Sequence, residues 1–258
     1  MNAILAVATL VIKELYRRKD FYVLFVLTAL ITLLMGALNF FNDDQVVRYL
    51  KEICLLLIWI SGLVIAITTT ARQIPAEREH RTIFPLLAKP LTRGQLVLGK
   101  FLGCWLATGL ALLVFYLFFG LISASREHVW PVVSYGQALW LHWFMLGVVI
   151  AMTLCGSVVF AAPSSNATIM LVVVIGILLI GRYLNKVARQ LDQPLQALVY
   201  TLYYRIPHRE FFDVRDLVIH NWDPISWWVC GVAPLYAAVY GAIFLLVGWL
   251  VFRRQSLG

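Results

Sequence analysis

The chain has 258 residues, of which 62% are hydrophobic and only 13% are charged. A soluble domain has about a quarter of its residues charged and has no core large enough to hide this much apolar surface, so the composition excludes an ordinary soluble protein and indicates a membrane protein. The formal net charge of +8 does not indicate nucleic-acid binding, because the basic residues lie beside the ends of apolar segments and form no single patch.

The first predicted element is an amphipathic helix at the N-terminus. Its apolar residues recur at helical spacing and are Ile4, Val7, Ala8, Val11 and Leu15. Its charged residues cluster elsewhere on the helix and are Lys13, Glu14, Arg17 and Arg18. We expect this helix to lie in the inner membrane interface. The alternative is a simple basic extension of the first membrane span.

Six segments are apolar enough to cross a bilayer, for which a helix needs about 20 apolar residues. They are Phe21 to Phe41, Ile53 to Ile74, Phe101 to Ser123, Ala138 to Ala162, Ala167 to Leu184, and a last segment that ends at Phe252 and that Pro234 is expected to kink. The predicted fold class is therefore all-α: a polytopic membrane protein that forms one transmembrane domain over residues 1–258.

The segment between the last two predicted spans is aromatic and amphipathic. From Leu195 to Trp228 we expect short helices that lie against the outer face of the membrane. Their expected apolar contacts are Leu198, Tyr203, Phe211 and Phe212. Asp223 and Pro224 predict the start of the last helix, with the aspartate as its N-cap and the proline in its first turn.

Basic residues are concentrated in one set of short loops. On that side are Lys13, Arg17, Arg18, Lys19, Arg72, Arg78, Arg81, Lys89, Arg93, Lys100, Arg253 and Arg254. The short loops opposite hold only Arg48, Lys51 and Arg126. The positive-inside rule therefore predicts that both termini are cytoplasmic. The stretch from Arg182 to Asp223 then lies outside, although it carries several arginines.

The segment from Ala76 to Lys100 predicts a short cytoplasmic helix with one charged and one apolar face, which Pro90 ends. Such a helix suits a docking surface for a soluble partner. Its expected buried contacts are Ile83, Phe84, Leu86 and Leu87, and its expected charged edge is Glu77, Arg78, Glu79 and Arg81. An ordinary interfacial helix is the alternative.

This segment resembles the type 2 family of ABC-transporter permeases. The matching pattern is a Glu, a basic residue, a Thr followed by a Leu-Leu pair, a Pro, an Arg and a later Lys. In this chain the pattern falls on Glu77 or Glu79, Arg81, Thr82, Leu86, Leu87, Pro90, Arg93 and Lys100. Arg81 stands where the family commonly has Gly. The later stretch from Tyr203 to Asp216 is similar to the outer loop of permeases of nitrous-oxide-reductase maturation systems, and the resemblance covers essentially the whole chain.

The resemblance implies a permease subunit of an exporter in the bacterial inner membrane. Two such subunits, identical or related, would pair among the membrane lipids, and each would rest its cytoplasmic coupling helix in a groove of a separate ABC ATPase. The coupling residues would be Glu77, Arg78, Glu79, Arg81, Thr82, Ile83, Phe84, Leu86, Leu87, Pro90 and Arg93. ATP and Mg²⁺ would be bound by the ATPase, so this chain is expected to hold no cofactor.

Three patterns argue against an enzyme. Gly94 to Lys100 approximates a P-loop, but Phe101 stands where the loop needs Ser or Thr to hold magnesium. The four cysteines are far apart and have no metal-ligand spacing. The histidines have no acid partner at a catalytic spacing. We therefore expect a non-enzymatic chain whose partner hydrolyses ATP.

Two patterns within the spans have alternative interpretations. Gly99, Gly103, Ala107 and Ala111 form a row of small residues, for packing either within the subunit or between subunits. Ser61, Thr68, Thr69 and Thr70 either line a cavity or bond to their own helix backbone. The spans contain almost no ionisable residues, which suits a bulky amphipathic or lipidic cargo. The alternative function is a non-transporting membrane partner of an ATPase that transmits force across the membrane.

Overall fold

The computed structural model describes residues 3–17, 22, 26, 29–30, 33, 44–79, 92–127, 130–192, 194–205, 212–220 and 222–255. Within these residues there are nine helices and no strand, so the predicted all-α fold class is confirmed. The helices are α1 (Ala3–Tyr16), α2 (Asp44–Ala71), α3 (Pro75–Glu79), α4 (Arg93–Glu127), α5 (Val132–Val159), α6 (Pro163–Ala188), α7 (Leu195–Arg205), α8 (Arg215–Ile219) and α9 (Trp227–Arg254).

Four of the helices are long and apolar enough to cross a membrane: α2, α4, α5 and α9. Helix α6 contributes a shorter apolar stretch, Pro163–Leu179. These five helices correspond to five of the six predicted spans. The first predicted span, Phe21 to Phe41, lies almost entirely outside the described residues. Together these helices make the chain an all-α polytopic membrane protein.

The helices extend beyond the apolar segments that predict them, and α4 shows why. Its 35 residues begin at Arg93, eight positions before the apolar run at Phe101. The backbone N–H of Thr92 donates to Gln95 Oε1 at 3.0 Å, and the N–H of Gln95 donates to Thr92 Oγ1 at 3.3 Å. This reciprocal capping box satisfies two backbone donors at the helix start, so the helix begins in a polar stretch.

Helix α5 is the centre of the bundle. It packs against α2, α4, α6 and α9, and its middle is buried almost without interruption from Met145 to Leu154. This stretch is nearly all aliphatic or small, as a helix needs when neighbours cover all its sides. The core therefore runs along α5, and the other spans surround it.

Two tryptophans join α4 to α5. Trp105 Nε1 donates to the carbonyl of Trp143 at 3.1 Å, and Trp143 Nε1 donates to the carbonyl of Trp105 at 2.9 Å. The two rings stack with centroids 4.5 Å apart. Gly109 and Gly147 leave room for the rings, because a Cβ at either position would lie 3.0 Å or less from an indole nitrogen. Each indole donor is thus satisfied away from water.

Neighbouring ends of the helices show that the chain alternates in direction. Gln255, just after α9, donates from Nε2 to the carbonyl of Val158 near the end of α5 at 3.1 Å. Asn166, near the start of α6, donates from Nδ2 to the carbonyl of Ala71 at the end of α2 at 3.4 Å. The described basic stretches 72–79, 92–100 and 253–254 therefore lie at one end of the bundle, as the charge count predicts. The side of the membrane stays a prediction.

Helix α1 packs on α4 through its apolar face, and its predicted position in the inner membrane interface stays a prediction. Val7, Ala8, Val11 and Leu15 are all buried in the protein. A Cβ added at Gly99 would lie 2.7 Å from Val7 Cβ. A Cβ added at Gly103 would lie 2.7 Å from Val11 Cβ and 2.9 Å from the carbonyl oxygen of Ala8. The small residues let the two backbones approach closely, so packing within the subunit is the right interpretation of Gly99 and Gly103.

The opposite end of the bundle holds the predicted short helices, α7 and α8. Phe212 is 4% exposed and packs near Tyr236 of α9, with ring centroids 6.3 Å apart. Its predicted contact with the membrane is therefore wrong, because the protein core covers it. The side chains of Leu198 and Tyr203 and the whole of Phe211 lie outside the described part of the chain, so their predicted contacts stay predictions.

The last helix begins later than predicted. Helix α9 starts at Trp227 with Ser226 at its N-cap, and Asp223 does not cap it. Gln137 of α5 explains the delay, because its Nε2 donates to the carbonyl of Ile225 at 2.8 Å and its Oε1 accepts from the N–H of Ile225 at 3.0 Å. Those bonds hold residue 225 outside a helix. Pro234 lies inside α9, as predicted.

The contact between α1 and α4 generates a first prediction. Gly103→Ala should lower the stability of the purified protein by about 1 to 3 kcal/mol, because the new methyl group meets backbone as well as side-chain atoms. Gly176→Ala is the matched control, since a Cβ there meets nothing within 4 Å. Thermal unfolding in one detergent compares the two. Equal melting temperatures for both variants would show that α1 is not seated against α4.

Candidate functional site

A group of polar side chains lies at the end of the bundle where α2 and α9 end and α4 begins. We call this group the polar node, and its members are Gln73, Glu77, Arg78, Arg93, Lys100 and Gln255. They come from the turn between α2 and α3, from α3 itself, from the first turns of α4 and from the residue after α9. The polar node therefore joins parts of the chain that are distant in sequence.

Lys100 is the most buried member of the polar node. The residue is 2% exposed. Its Nζ donates to the carbonyl of Gln73 at 2.9 Å, to Gln73 Oε1 at 3.1 Å and to Glu77 Oε1 at 2.6 Å. An ammonium group has three protons to donate, and here each finds an oxygen. The buried charge is thus both paired and hydrogen-bonded, as such a charge must be.

Arg93 binds the end of α9. Its Nη1 lies 2.6 Å from the carbonyl oxygen of Phe252, 3.1 Å from that of Arg253 and 3.0 Å from that of Gln255. The last carbonyls of a helix have no partner within the helix and carry partial negative charge, so a guanidinium group there is stabilising. The guanidinium carbon also lies 5.4 Å from the centre of the buried Phe252 ring. The start of α4 is therefore tied to the end of α9.

Arg78 makes a second connection to the end of α9. Its Nη2 donates to Gln255 Oε1, and Gln255 in turn donates to Val158 of α5. Its guanidinium carbon lies 6.0 Å from the centre of the Phe252 ring, beside that of Arg93. Helix α3 is in this way connected to α5 and α9 as well as to α4.

The P-loop-like pattern from Gly94 to Lys100 lies entirely within helix α4. A phosphate-binding loop presents free backbone N–H groups and a lysine to the nucleotide. Here the backbone is helical, and the lysine already binds Gln73 and Glu77. The segment is therefore part of a helix and does not form such a loop.

The structure describes four of the predicted coupling residues. Glu77, Arg78 and Arg93 bond within the subunit, while Glu79 is exposed. The predicted role of Glu77 and Arg78 in the charged edge of an ATPase contact stays a prediction. The remaining predicted coupling residues lie outside the described residues: Arg81, Thr82, Ile83, Phe84, Leu86, Leu87 and Pro90. The described residues on either side of this segment, Glu79 and Thr92, are next in sequence to Arg78 and Arg93 of the polar node.

Sequence reasoning missed three members of the polar node as site residues. The sequence places Lys100 in the family pattern but not among the coupling residues, and it does not single out Gln73 or Gln255. One local signal points to Gln73, because it lies four residues before the predicted site residue Glu77 and the two face one way on a helical path. Gln255 has no such signal, since its partner Arg78 is 177 positions away.

Two of the four hydroxyl residues predicted to line a cavity, Thr68 and Thr69, bond to the backbone of their own helix α2. Thr68 donates to the carbonyl of Val64 at 2.7 Å, and Thr69 donates to that of Ile65 at 2.6 Å. Ser61, Thr69 and Thr70 are buried, and only Thr68 is exposed. These bonds favour the interpretation that the hydroxyls satisfy themselves on the backbone. A role in lining a transport path stays a prediction.

Comparison with known families addresses the identity of the chain. A family model described as "ABC-2 family transporter protein" matches residues 5–257. The chain belongs to this family. As an ABC-2 family member it is a multi-pass membrane protein and a permease subunit of an ABC transporter, and this class works with an ABC ATPase subunit. No curated protein matches the chain.

The family match does not address the predicted resemblance to one particular group of permeases. The likeness of residues 203–216 to permeases of nitrous-oxide-reductase maturation stays a prediction, and residues 206–211 lie outside the described part of the chain. Among the described residues no group of three or more His, Cys, Asp or Glu is arranged to hold a metal ion.

The polar node generates a second prediction. Glu77→Gln should destabilise the ABC-2 protein by about 3 kcal/mol, because it leaves the buried Lys100 charge without its carboxylate. Glu79→Gln, two positions along the same helix and exposed, should change stability by no more than about 0.5 kcal/mol. Thermal unfolding of both variants measures the difference.

A double variant checks that the effect comes from the pair. Glu77→Gln with Lys100→Met removes both charges, and most of the lost stability should return. If Glu77→Gln and Glu79→Gln behave alike, or if the double variant is worse than the single one, then Glu77 is not the partner on which Lys100 depends.

Proposed function

We propose that this chain is the permease subunit of an ABC exporter and that residues 80–91 receive the stroke of a separate ATPase. The observation that carries the proposal is that residues close to this segment on both sides belong to the polar node. Glu77 and Arg78 precede the segment, and Arg93 follows it, and all three bond to other helices. A push on the segment is then delivered to the bundle at several points.

The connection to α2 is continuous along the backbone. The N–H of Gln73 donates to the carbonyl of Thr70 at 3.1 Å, that of Ala76 to Arg72 at 3.0 Å and that of Arg78 to Ile74 at 3.1 Å. Helical turns therefore run from α2 into α3 with little free chain between them. A displacement of α3 moves the end of α2 as well as the partners of Arg78 and Lys100.

The charged and apolar residues between 80 and 91 suit the groove of an ATPase. An apolar centre that excludes water and a charged edge that sets the register are common in protein interfaces. Ile83, Phe84, Leu86 and Leu87 would be the seated residues, and Glu79 and Arg81 would supply the edge. ATP and Mg²⁺ would stay on the ATPase.

The transported cargo is proposed to be bulky and amphipathic or lipidic. In the described part of the chain the buried Lys, Arg, Asp and Glu residues are Lys51 and Lys100, and both lie near the ends of spans. His142 is buried within α5, where its Nδ1 lies 3.3 Å from the hydroxyl of Tyr116. An ion path or a proton relay usually places ionisable residues deep in the membrane. A second permease subunit, identical or related, would complete the path.

The alternative is a membrane partner that only relays force to a protein outside. Such a protein needs a structure on the other side through which to act. The described residues between α6 and α9 form short helices of 11 and 5 residues. Because the described structure at this end of the bundle is small, it favours a transport function over the transmission of force to another protein.

A third prediction separates binding of the ATPase from coupling to it. Leu86→Asp should abolish capture of the ATPase, because it places an unpaired charge in the seated contact. Arg93→Gln should keep capture but reduce the effect of the permease on the ATPase rate about tenfold, since it removes charge-assisted hydrogen bonds that tie α4 to α9. Pull-down and ATP hydrolysis by the complex measure the two quantities.

Asp192→Asn is the control for both measurements, because its side chain is exposed and lies at the end of the bundle away from the polar node. It should alter capture and hydrolysis by less than about twofold. Full capture and normal hydrolysis with Leu86→Asp would make residues 80–91 a simple connector. Normal hydrolysis with Arg93→Gln would separate the polar node from coupling.

A fourth prediction concerns orientation. We propose that the polar node and both termini face the cytoplasm, in agreement with the concentration of basic residues at that end. Single cysteines at Arg254 and at Asp192, both exposed, should react with an impermeant reagent from opposite sides of the membrane in a cysteine-free background. Reaction of Arg254→Cys from the outside would reverse the topology, and reaction of both from one side would refute the alternation of the spans.

A further inference from the structure

A polar cavity of about 320 Å³ lies at the end of the bundle opposite to the polar node. It is lined by Arg48, Tyr49, Glu52, Asp216, Ile219 and His220. We propose that this cavity binds an ammonium–phosphate zwitterion, the chemistry of an aminated phospholipid headgroup. This inference does not depend on the exporter function, because it concerns binding at a site remote from the ATPase contact.

The lining comes from two helices that each present a pair of polar side chains. Arg48 and Glu52 are four residues apart on α2, and Asp216 and His220 are four residues apart on α8 and its C-cap. Residues at this spacing lie on the same face of a helix. The cavity is therefore a gap between two polar helix faces, and the buried Ile219 forms an apolar part of its wall.

Among the described residues, the charged groups that line the cavity have few interactions with the rest of the fold, one of which is the attraction between Asp216 and Arg215. The side chains of Arg48, Glu52 and Asp216 are exposed and make no hydrogen bond or ion pair with any residue that the structure describes. This contrasts with the polar node, where Lys100, Arg78 and Arg93 each bond within the subunit. Side chains with so few internal interactions are available for a ligand.

The combination of charges selects the ligand class. A ligand with only negative charge would face the carboxylates of Glu52 and Asp216, and a ligand with only positive charge would face the guanidinium of Arg48. A zwitterion matches both the positive and the negative side chains. Its phosphate would lie at Arg48, whose planar guanidinium group can donate two hydrogen bonds to phosphate oxygens. Its ammonium group then lies between the two carboxylates.

The depth of the cavity suits a lipid headgroup. Arg48 and Glu52 flank Lys51, where the apolar span of α2 begins. At the same end of the bundle, Trp222, Trp227 and Trp228 are all strongly exposed just before and at the start of α9. Exposed tryptophans typically mark the level of the headgroups. The cavity therefore opens at the boundary between hydrocarbon and water.

The wall formed by α8 is firmly seated. Val218 and Ile219 are buried against the bundle, and the guanidinium of Arg215 lies 5.3 Å from the centre of the Trp59 ring. Asp213 accepts two hydrogen bonds from Arg215, at 2.7 and 2.8 Å, and this bonding raises the pKa of Arg215 above its usual range. Arg215 stays charged, and the cavity is largely formed before a ligand arrives.

The test is lipid binding by the full chain. The protein is reconstituted with an equal mixture of phosphatidylethanolamine and phosphatidylglycerol, and the retained lipid is measured by native mass spectrometry. We expect preferential retention of phosphatidylethanolamine. Arg48→Gln and Asp216→Asn should each reduce that retention about tenfold, the effect of one charge-assisted hydrogen bond. Arg48→Lys should keep most of it.

Asp223→Asn is the matched control, since it removes an exposed carboxylate from the same segment and outside the cavity. It should leave retention unchanged. Free phosphoethanolamine distinguishes a soluble headgroup from a membrane lipid as the ligand. If it competes with the lipid, the headgroup alone is sufficient for binding. If it does not compete, the site requires the membrane-anchored form. Both results support the zwitterion site.

Four outcomes would overturn the inference. Equal retention of both lipids shows that the site does not select a zwitterion. Loss of binding with Asp216→Asn but not with Arg48→Gln shows a cation site, and the reverse shows an anion site. An equal loss with Asp223→Asn shows a general charge effect. Because the replaced side chains are exposed, an unchanged melting temperature confirms that each variant is folded.

Discussion

A charged ammonium group inside an apolar bundle needs acceptors from its own chain, and Lys100 imposes this requirement on the end of the molecule. Its oxygen partners come from Gln73 and Glu77, so the turn after α2 and the short helix α3 are held against α4. Removing either partner would leave a buried charge unsatisfied, which is far more costly than losing a surface ion pair. The positions of Arg78 and Arg93 beside the end of α9 follow from that arrangement.

The two ends of this ABC-2 family protein use their charged residues differently. At the polar node the charges bond to backbone carbonyls and side chains of other helices, and they bind the bundle to the segment that we propose as the ATPase contact. At the opposite end Arg48, Glu52 and Asp216 make no hydrogen bond or ion pair among the described residues. The same residue types thus stabilise the fold at one end and offer a recognition surface at the other.

Much of the fold follows from the sequence, because apolar length alone decides which segments cross a membrane. Five predicted spans correspond to observed helices, and the spacing of Gly99 and Gly103 marks a close helix contact. The features that the sequence does not reveal have a common cause, which is contact over long sequence distances. An apolar face on α1 does not reveal whether lipid or α4 covers it, and Asp223 fails as an N-cap because Gln137, 88 positions before Ile225, binds that residue's backbone. The inward bonds of Arg78 and Arg93 reach residues 159 to 177 positions away, so a local motif locates these residues but not their partners.

The reciprocal bonds between Trp105 and Trp143 restrict how the bundle moves. Sliding α4 along α5 by one residue, about 1.5 Å, would stretch both N–H···O contacts at once, and rotating either helix would withdraw its ring from the stack. The two helices therefore move as one rigid unit. Relative motion between helices is easier at contacts that have no such pair of hydrogen bonds. A displacement of α4 would therefore carry α5 with it.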